Sequence, residues 1–148
     1  MLLEGNIILF KPFYFKNGTY KPKFFLVLKL DGDINLLAAL PSSKDYVPQF
    51  CDHASGCIEL PECGFNCYRI EKGLEITTNR KCFTKDTFIY GHLLDDFCQS
   101  ELLEKYPRKD IDYEVFGTLN DVVFEGIIQC LLNSKVVKKK YLRILGRS

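Results

Sequence analysis

Residues 5–40 read Gly5-Asn6-Ile7-Ile8-Leu9-Phe10-Lys11-Pro12-Phe13-Tyr14-Phe15, then Lys16-Asn17-Gly18-Thr19, and continue to Phe24-Phe25-Leu26-Val27-Leu28-Lys29-Leu30, Asp31-Gly32-Asp33 and Ile34-Asn35-Leu36-Leu37-Ala38-Ala39-Leu40. The first run is apolar and β-prone, and Pro12 makes its second half an edge or a bend. Asn17-Gly18 is the strongest short hairpin signal, because both residues accept positive φ at little cost. Residues 24–30 read as a buried strand. Asp31-Gly32-Asp33 is a second tight turn, and residues 34–40 are the returning strand. Two such turns within 40 residues predict a three-stranded antiparallel meander.

Beyond the meander the pattern weakens. Pro41, Pro48, Gly56, Pro61 and Gly64 punctuate residues 41–67, so an irregular insertion is expected at about 47–70. Short strands are expected near 67–70, 75–77 and 87–94. Residues 98–106 carry helical spacing that Pro107 ends, and 107–112 reads as a polar linker. Asn120 is a candidate N-cap for a terminal helix, with Asp121 and Glu125 suited to the positive end of its dipole. Apolar positions 123, 124, 127, 128, 131 and 132 repeat at three and four residues, as one buried face requires. The expected fold is mainly β (α+β), a small, strongly bent, antiparallel barrel-like sheet. A terminal helix and a second, shorter one complete a single domain over 1–148.

Composition narrows the function. The 148 residues are 47% hydrophobic, 26% charged and 14% aromatic, and 20 basic side chains meet 19 acidic ones for a net charge of +1. That excludes a strongly basic nucleic-acid binder and an acidic solvating tail, though not a local basic cleft. No run reaches 18 apolar residues, so no membrane span is expected. The N-terminus lacks a basic region ahead of an apolar one, which argues against a signal peptide and for a cytoplasmic location. The seven Cys are then expected as reduced thiols.

Several strings together resemble the MazF/PemK/Kid-like toxins of bacterial toxin–antitoxin systems: Gly5-Asn6-Ile7-Ile8-Leu9-Phe10, the Asn17-Gly18 turn, Lys21-Pro22-Lys23-Phe24-Phe25-Leu26-Val27-Leu28, and Leu37-Ala38-Ala39-Leu40-Pro41-Ser42-Ser43-Lys44. Phe83-Thr84-Lys85-Asp86-Thr87-Phe88-Ile89, and Gly117-Thr118-Leu119 ahead of a helix, follow the same order. The resemblance implies an SH3-like barrel that pairs into a homodimer and is blocked by a cognate antitoxin. It also implies sequence-specific cleavage of single-stranded RNA, in which the 2′-hydroxyl attacks the adjacent phosphate and neither metal nor cofactor takes part. Such chemistry needs a cation on the charged transition state, a proton relay, and a groove that holds splayed bases. Carried over, the family's Arg falls on Lys23 and its Thr on Ser42, the implied catalytic pair. Lys keeps the charge of Arg without its planar fork, and Ser keeps the hydroxyl of Thr. Lys16, Asn17, Tyr20, Lys21, Ser43 and Lys44 would line the RNA groove.

Plainer readings stand beside these. Lys23 can be a solvated lysine blunting a strand edge, and Ser42 and Ser43 can bond their own backbone in a turn. Lys11, Lys16, Lys21, Lys23, Lys29 and Lys44, with Phe13, Tyr14, Phe15 and Tyr20, suit single-stranded RNA or a solvated hairpin face equally. Cys51, Cys57, Cys63 and Cys67, near His53, fall within 17 residues. Their spacing contains no C-x₂-C knuckle, so buried small hydrophobes are the alternative to a zinc loop. Cys82, Cys98 and Cys130 read as core. His53 and His92 are the only histidines, and nothing in the sequence places them together. Asp95-Asp96 reads as a turn. The five cations of 135–143 read as the cationic end of the last helix. The rivals to a ribonuclease toxin are a catalytically inactive SH3-like module that binds RNA or protein, and a zinc-stapled interaction domain.

Overall fold

Alternation decides which side chains of the meander share a face. A computed structural model, which describes residues 2–40 and 56–146, places Asn6–Tyr14 (β1), Tyr20–Asp31 (β2) and Ile34–Leu40 (β3) side by side, each antiparallel to the next. Gly18 takes φ 87° in the first turn, and Asn17 Oδ1 accepts from the N–H and hydroxyl of Thr19. A bulge on β1 between Phe10 and Phe13 re-aims the strand. Phe13 therefore joins Ile8 and Phe10 on one face although it lies three residues beyond Phe10. Pro12, which has no N–H to offer a ladder, sits inside that bulge.

The strands Leu94–Cys98 (β7) and Tyr113–Thr118 (β8) flank the meander, giving a five-stranded sheet in the order β7-β3-β2-β1-β8. The strands Gly56–Leu60 (β4), Phe65–Ile70 (β5) and Thr87–Tyr90 (β6) form a second sheet in the order β4-β5-β6. The described residues are thus mainly β, in two open antiparallel sheets, and neither closes on itself as the barrel expectation required. Three helices follow: Gln99–Lys105 (α1), Asp121–Leu132 (α2) and Lys139–Leu145 (α3). None among the described residues is long and apolar enough to cross a membrane.

Both faces of the large sheet are covered. On one, Ile7, Leu26, Leu28, Leu36 and Ala38 meet Ile70 and Ile89 of the second sheet, Ile127 and Leu131 of α2, and Ile144 of α3. On the other, Ile8, Phe10, Phe13, Phe25, Val27 and Leu37 meet Leu102 of α1, Tyr106 and Tyr113. Each fully buried Leu, Ile or Phe here stabilises the fold by about 1.5–3 kcal/mol.

Several sequence expectations are corrected. Residues 56–70 are an ordered hairpin and not an irregular insertion. The Gly and Pro residues that signal a loop mark its ends, with Gly56 at φ 75°, Pro61 opening a 3-10 turn and Gly64 closing it at φ 62°. Residues 75–77 contribute only the bridge Thr77 to Leu119. Asp95-Asp96 is part of edge strand β7, paired with Leu37 and Leu36, and charge on an edge is how sheets resist further pairing. The basic tail is not the end of α2 but a separate helix. Tyr141, Ile144 and Leu145 of α3 are buried, and Lys140 at its start meets the Asp96 carboxylate at 3.0 Å. The cysteines are not all thiols: Cys57 of β4 is bonded to Cys130 of α2. Cys82 and Cys98 are exposed rather than core.

Candidate nucleic-acid interface

The β1–β2 hairpin end overhangs α1. Asp33 fixes α1 in place, its carboxylate accepting from the Ser100 N–H and hydroxyl at 3.1 Å each. The hydrogen bond from the Ser100 backbone, with those from Cys98 and Ser100 side chains, holds the Asp33 carboxyl below its ordinary pKa. Leu102 and Tyr106, four residues apart, then turn one helix face onto the aromatic cluster. The Phe13 ring lies 5.8 Å from Tyr106 and 6.0 Å from Phe97 of β7, centroid to centroid. Between hairpin, β7 and α1 lies a groove of about 510 Å³ with Phe13, Phe97, Leu102 and Tyr106 in its floor. Lys16, Asn17, Asp95, Glu101 and Lys105 stand around it.

The rim joins aromatics to cations. Tyr14 and Tyr20 are 47% and 68% exposed, with their rings 5.8 Å apart. Large rings left in water beside each other offer a stacking surface. Lys105 Nζ donates to the Tyr14 carbonyl at 3.3 Å and lies 5.6 Å from the Tyr14 ring centroid. Lys21 Nζ lies 5.9 Å over Phe15. Both are within cation–π range. Tyr106 anchors the ledge, since its hydroxyl accepts from the Tyr14 N–H at 2.9 Å. Burial raises the Tyr106 pKa, so the phenol stays protonated.

Of the expected site residues, Lys16 and Asn17 line the groove, Tyr20 extends the ledge through Tyr14, and Lys21 covers Phe15. Lys23 does not line it. It sits opposite Phe10 on β2, half-buried, and burial together with the nearby Lys21 charge lowers its pKa below 10.5. Ser42, Ser43 and Lys44 lie outside the described residues, as do Cys51 and His53. Lys11 is neutralised by an ion pair with Glu114 across β1 and β8. His92 is exposed and does not line the groove; its ring lies 5.3 Å from that of Tyr90 in the second sheet. The sequence reading missed Phe97, Glu101, Lys105 and Tyr106. The spacing of Leu102 and Tyr106 was visible, but not the pairing of β7 with β3 that brings them to the hairpin.

Among the described residues no group of three His, Cys, Asp or Glu side chains could hold a metal ion. Of the four cysteines, Cys57 bonds Cys130, Cys67 is buried, Cys63 is exposed, and Cys51 lies outside the described residues. Cys98 opens onto the groove, but its hydrogen bond to Asp33 raises its pKa and keeps it a thiol, the unreactive form. What remains is a concave aromatic surface with Lys16 and Lys105, and also Asp95 and Glu101, at its edge; rings beside ammonium groups can hold a planar, anionic strand. No protein-family model matches the chain, and comparisons with curated proteins and with solved structures found no match either.

Proposed function

We propose that this protein binds single-stranded RNA across the hairpin–α1 ledge. One observation carries the reading: Tyr14 and Tyr20 are exposed side by side, with Lys105 over the Tyr14 ring, Lys21 over the neighbouring Phe15 and Lys16 lining the groove beside them. Bases stack on the tyrosines and phosphates meet the ammonium groups. Stacking is worth about 1–3 kcal/mol per base. The resemblance to MazF/PemK-like toxins extends the reading to cleavage. The open five-stranded sheet would stand for a diverged SH3-like barrel, working as a homodimer under an antitoxin. Lys23 would stabilise the scissile phosphate, and Ser42 would bond it or relay a proton.

A binding module without catalysis is the second reading. The half-buried position of Lys23, away from the groove, favours it. The test is incubation of a long single-stranded RNA with the purified protein in EDTA, beside Lys23→Ala, Ser42→Ala and a Lys16/Lys21/Lys105 triple alanine variant. Fragments ending in 2′,3′-cyclic phosphate, lost in Lys23→Ala and Ser42→Ala, are the outcome expected of a ribonuclease. Intact RNA that binds the native protein, and binds the triple variant at least tenfold more weakly, leaves the module. Equal binding by the triple variant overturns the site.

A further inference from the structure

The groove carries a feature that strand binding alone does not require. Two carboxylates, Asp95 and Glu101, stand on a surface otherwise made for anions. Carboxylates repel phosphate, so they are misplaced unless something between them and the backbone donates hydrogen bonds. Alternation along β7 turns Asp95 and Phe97 to the groove and Asp96 to Lys140 on the other side. Asp95 already spends Oδ1 on the Asp96 N–H at 2.9 Å. Glu101 is exposed on α1, one turn before Lys105. Below them Phe97 and Phe13, packed edge to face with their ring centroids 6.0 Å apart, supply an apolar floor, and roughly 300–1,000 Å³ is the size range of small-molecule sites, which the groove meets.

We infer that the groove is a guanine subsite for the bound strand, with Glu101 as the residue that reads the base. A carboxylate can only accept hydrogen bonds. Of the four RNA bases, guanine alone presents two adjacent N–H donors, N1–H and N2–H, to match two carboxylate oxygens. Adenine and cytosine offer one amino group beside a ring nitrogen whose lone pair faces the carboxylate. Uracil offers one N–H between two carbonyl oxygens. Glu101 takes the pair because Asp95 has one oxygen engaged. The base lies on Phe97 and the flanking phosphate meets Lys105. This inference rests on the proposal that the ledge binds RNA, and it names the sequence preference of that site.

The test uses 2′-O-methyl strands, which lack the attacking hydroxyl and so bind without being cut. Affinities are measured by fluorescence anisotropy for an oligouridine and for the same strand with one central G, A or C. Guanosine monophosphate and uridine monophosphate are titrated separately. The expected result is G tighter than U by about tenfold, as one bidentate base contact gives, with A and C near U. In Glu101→Gln, whose exposed position spares the fold, the ratio of G to U falls to about one. Equal affinity for all four strands overturns the subsite and leaves the RNA reading standing, as does a G preference that survives Glu101→Gln. If no strand binds, the RNA reading falls and the subsite with it. Binding of the free guanine nucleotide alone then marks a mononucleotide pocket, which also overturns a strand subsite.

Discussion

Glu59 of β4 accepts from Asn66 Nδ2 at 3.0 Å, from the Ser134 hydroxyl at 2.8 Å and from the Lys135 N–H at 2.7 Å. Burial pushes its pKa up, but the three donors and the Lys135 charge outweigh it, and the net shift is below 4.5. A carboxyl depressed in the folded state favours folding above its unfolded pKa. That contribution is lost as pH falls through the folded value. Glu59→Gln should therefore cost about 2 kcal/mol at neutral pH, the size of a hydrogen bond to a charged group. It should also flatten the decline in stability below about pH 4.5. Urea midpoints measured across the acid range check both, and an unchanged acid limb contradicts the assignment. None of this was legible in the sequence, because Ser134 lies 75 residues from Glu59. Lys16, Asn17, Tyr20 and Lys21 were legible as a group because one turn holds them together.

Helix α2 obeyed local chemistry. Asn120 Oδ1 accepts from the Val123 N–H at 3.0 Å, as the sequence reading expected of an N-cap, and Ile127 and Leu131 are buried on the apolar stripe. Asn120→Ala should lower stability by about 1 kcal/mol, and a thermal melt without a shift would remove the cap's role. Helix α3 disobeyed it. Cations at a helix start oppose the dipole, so Lys138-Lys139-Lys140 reads as anything but an N-terminus. Asp96 supplies the missing negative charge from β7, and Tyr141, Ile144 and Leu145 supply the burial. The same carboxylate explains why the sequence of Asp95-Asp96 reads as a turn: Asp96 is answered by Lys140, a partner distant in sequence. The meander needed no such partner: its three strands lie in the apolar runs between the two turns, although β2 starts at Tyr20, ahead of the run at 24–30.

At the scale of the whole molecule, β4 and α2 are joined by a covalent tie where the sequence leads one to expect reduced thiols. Cys57 and Cys130 are 73 residues apart, and a closed loop of that length stabilises by about 4 kcal/mol in the chain-entropy view. Reduction, or Cys57→Ser, should then lower the melting temperature by about 10 °C. A melt that reductant does not move would mean that the tie adds nothing. The bond joins the second sheet to α2 on the face of the large sheet opposite the groove, so the test of the proposed RNA binding should be run with it both intact and reduced.

Asp95 and Asp96 are chemically alike and adjacent, yet they answer to opposite sides of one sheet, one to the groove and the other to Lys140. Only the phase of β7 against β3 tells them apart. A single residue inserted ahead of Leu94 and accommodated by slippage would exchange their duties and turn Phe97 away from the floor. The composition of the strand would hardly change, but the molecule would lose the floor of its groove and the anchor of its last helix in one step.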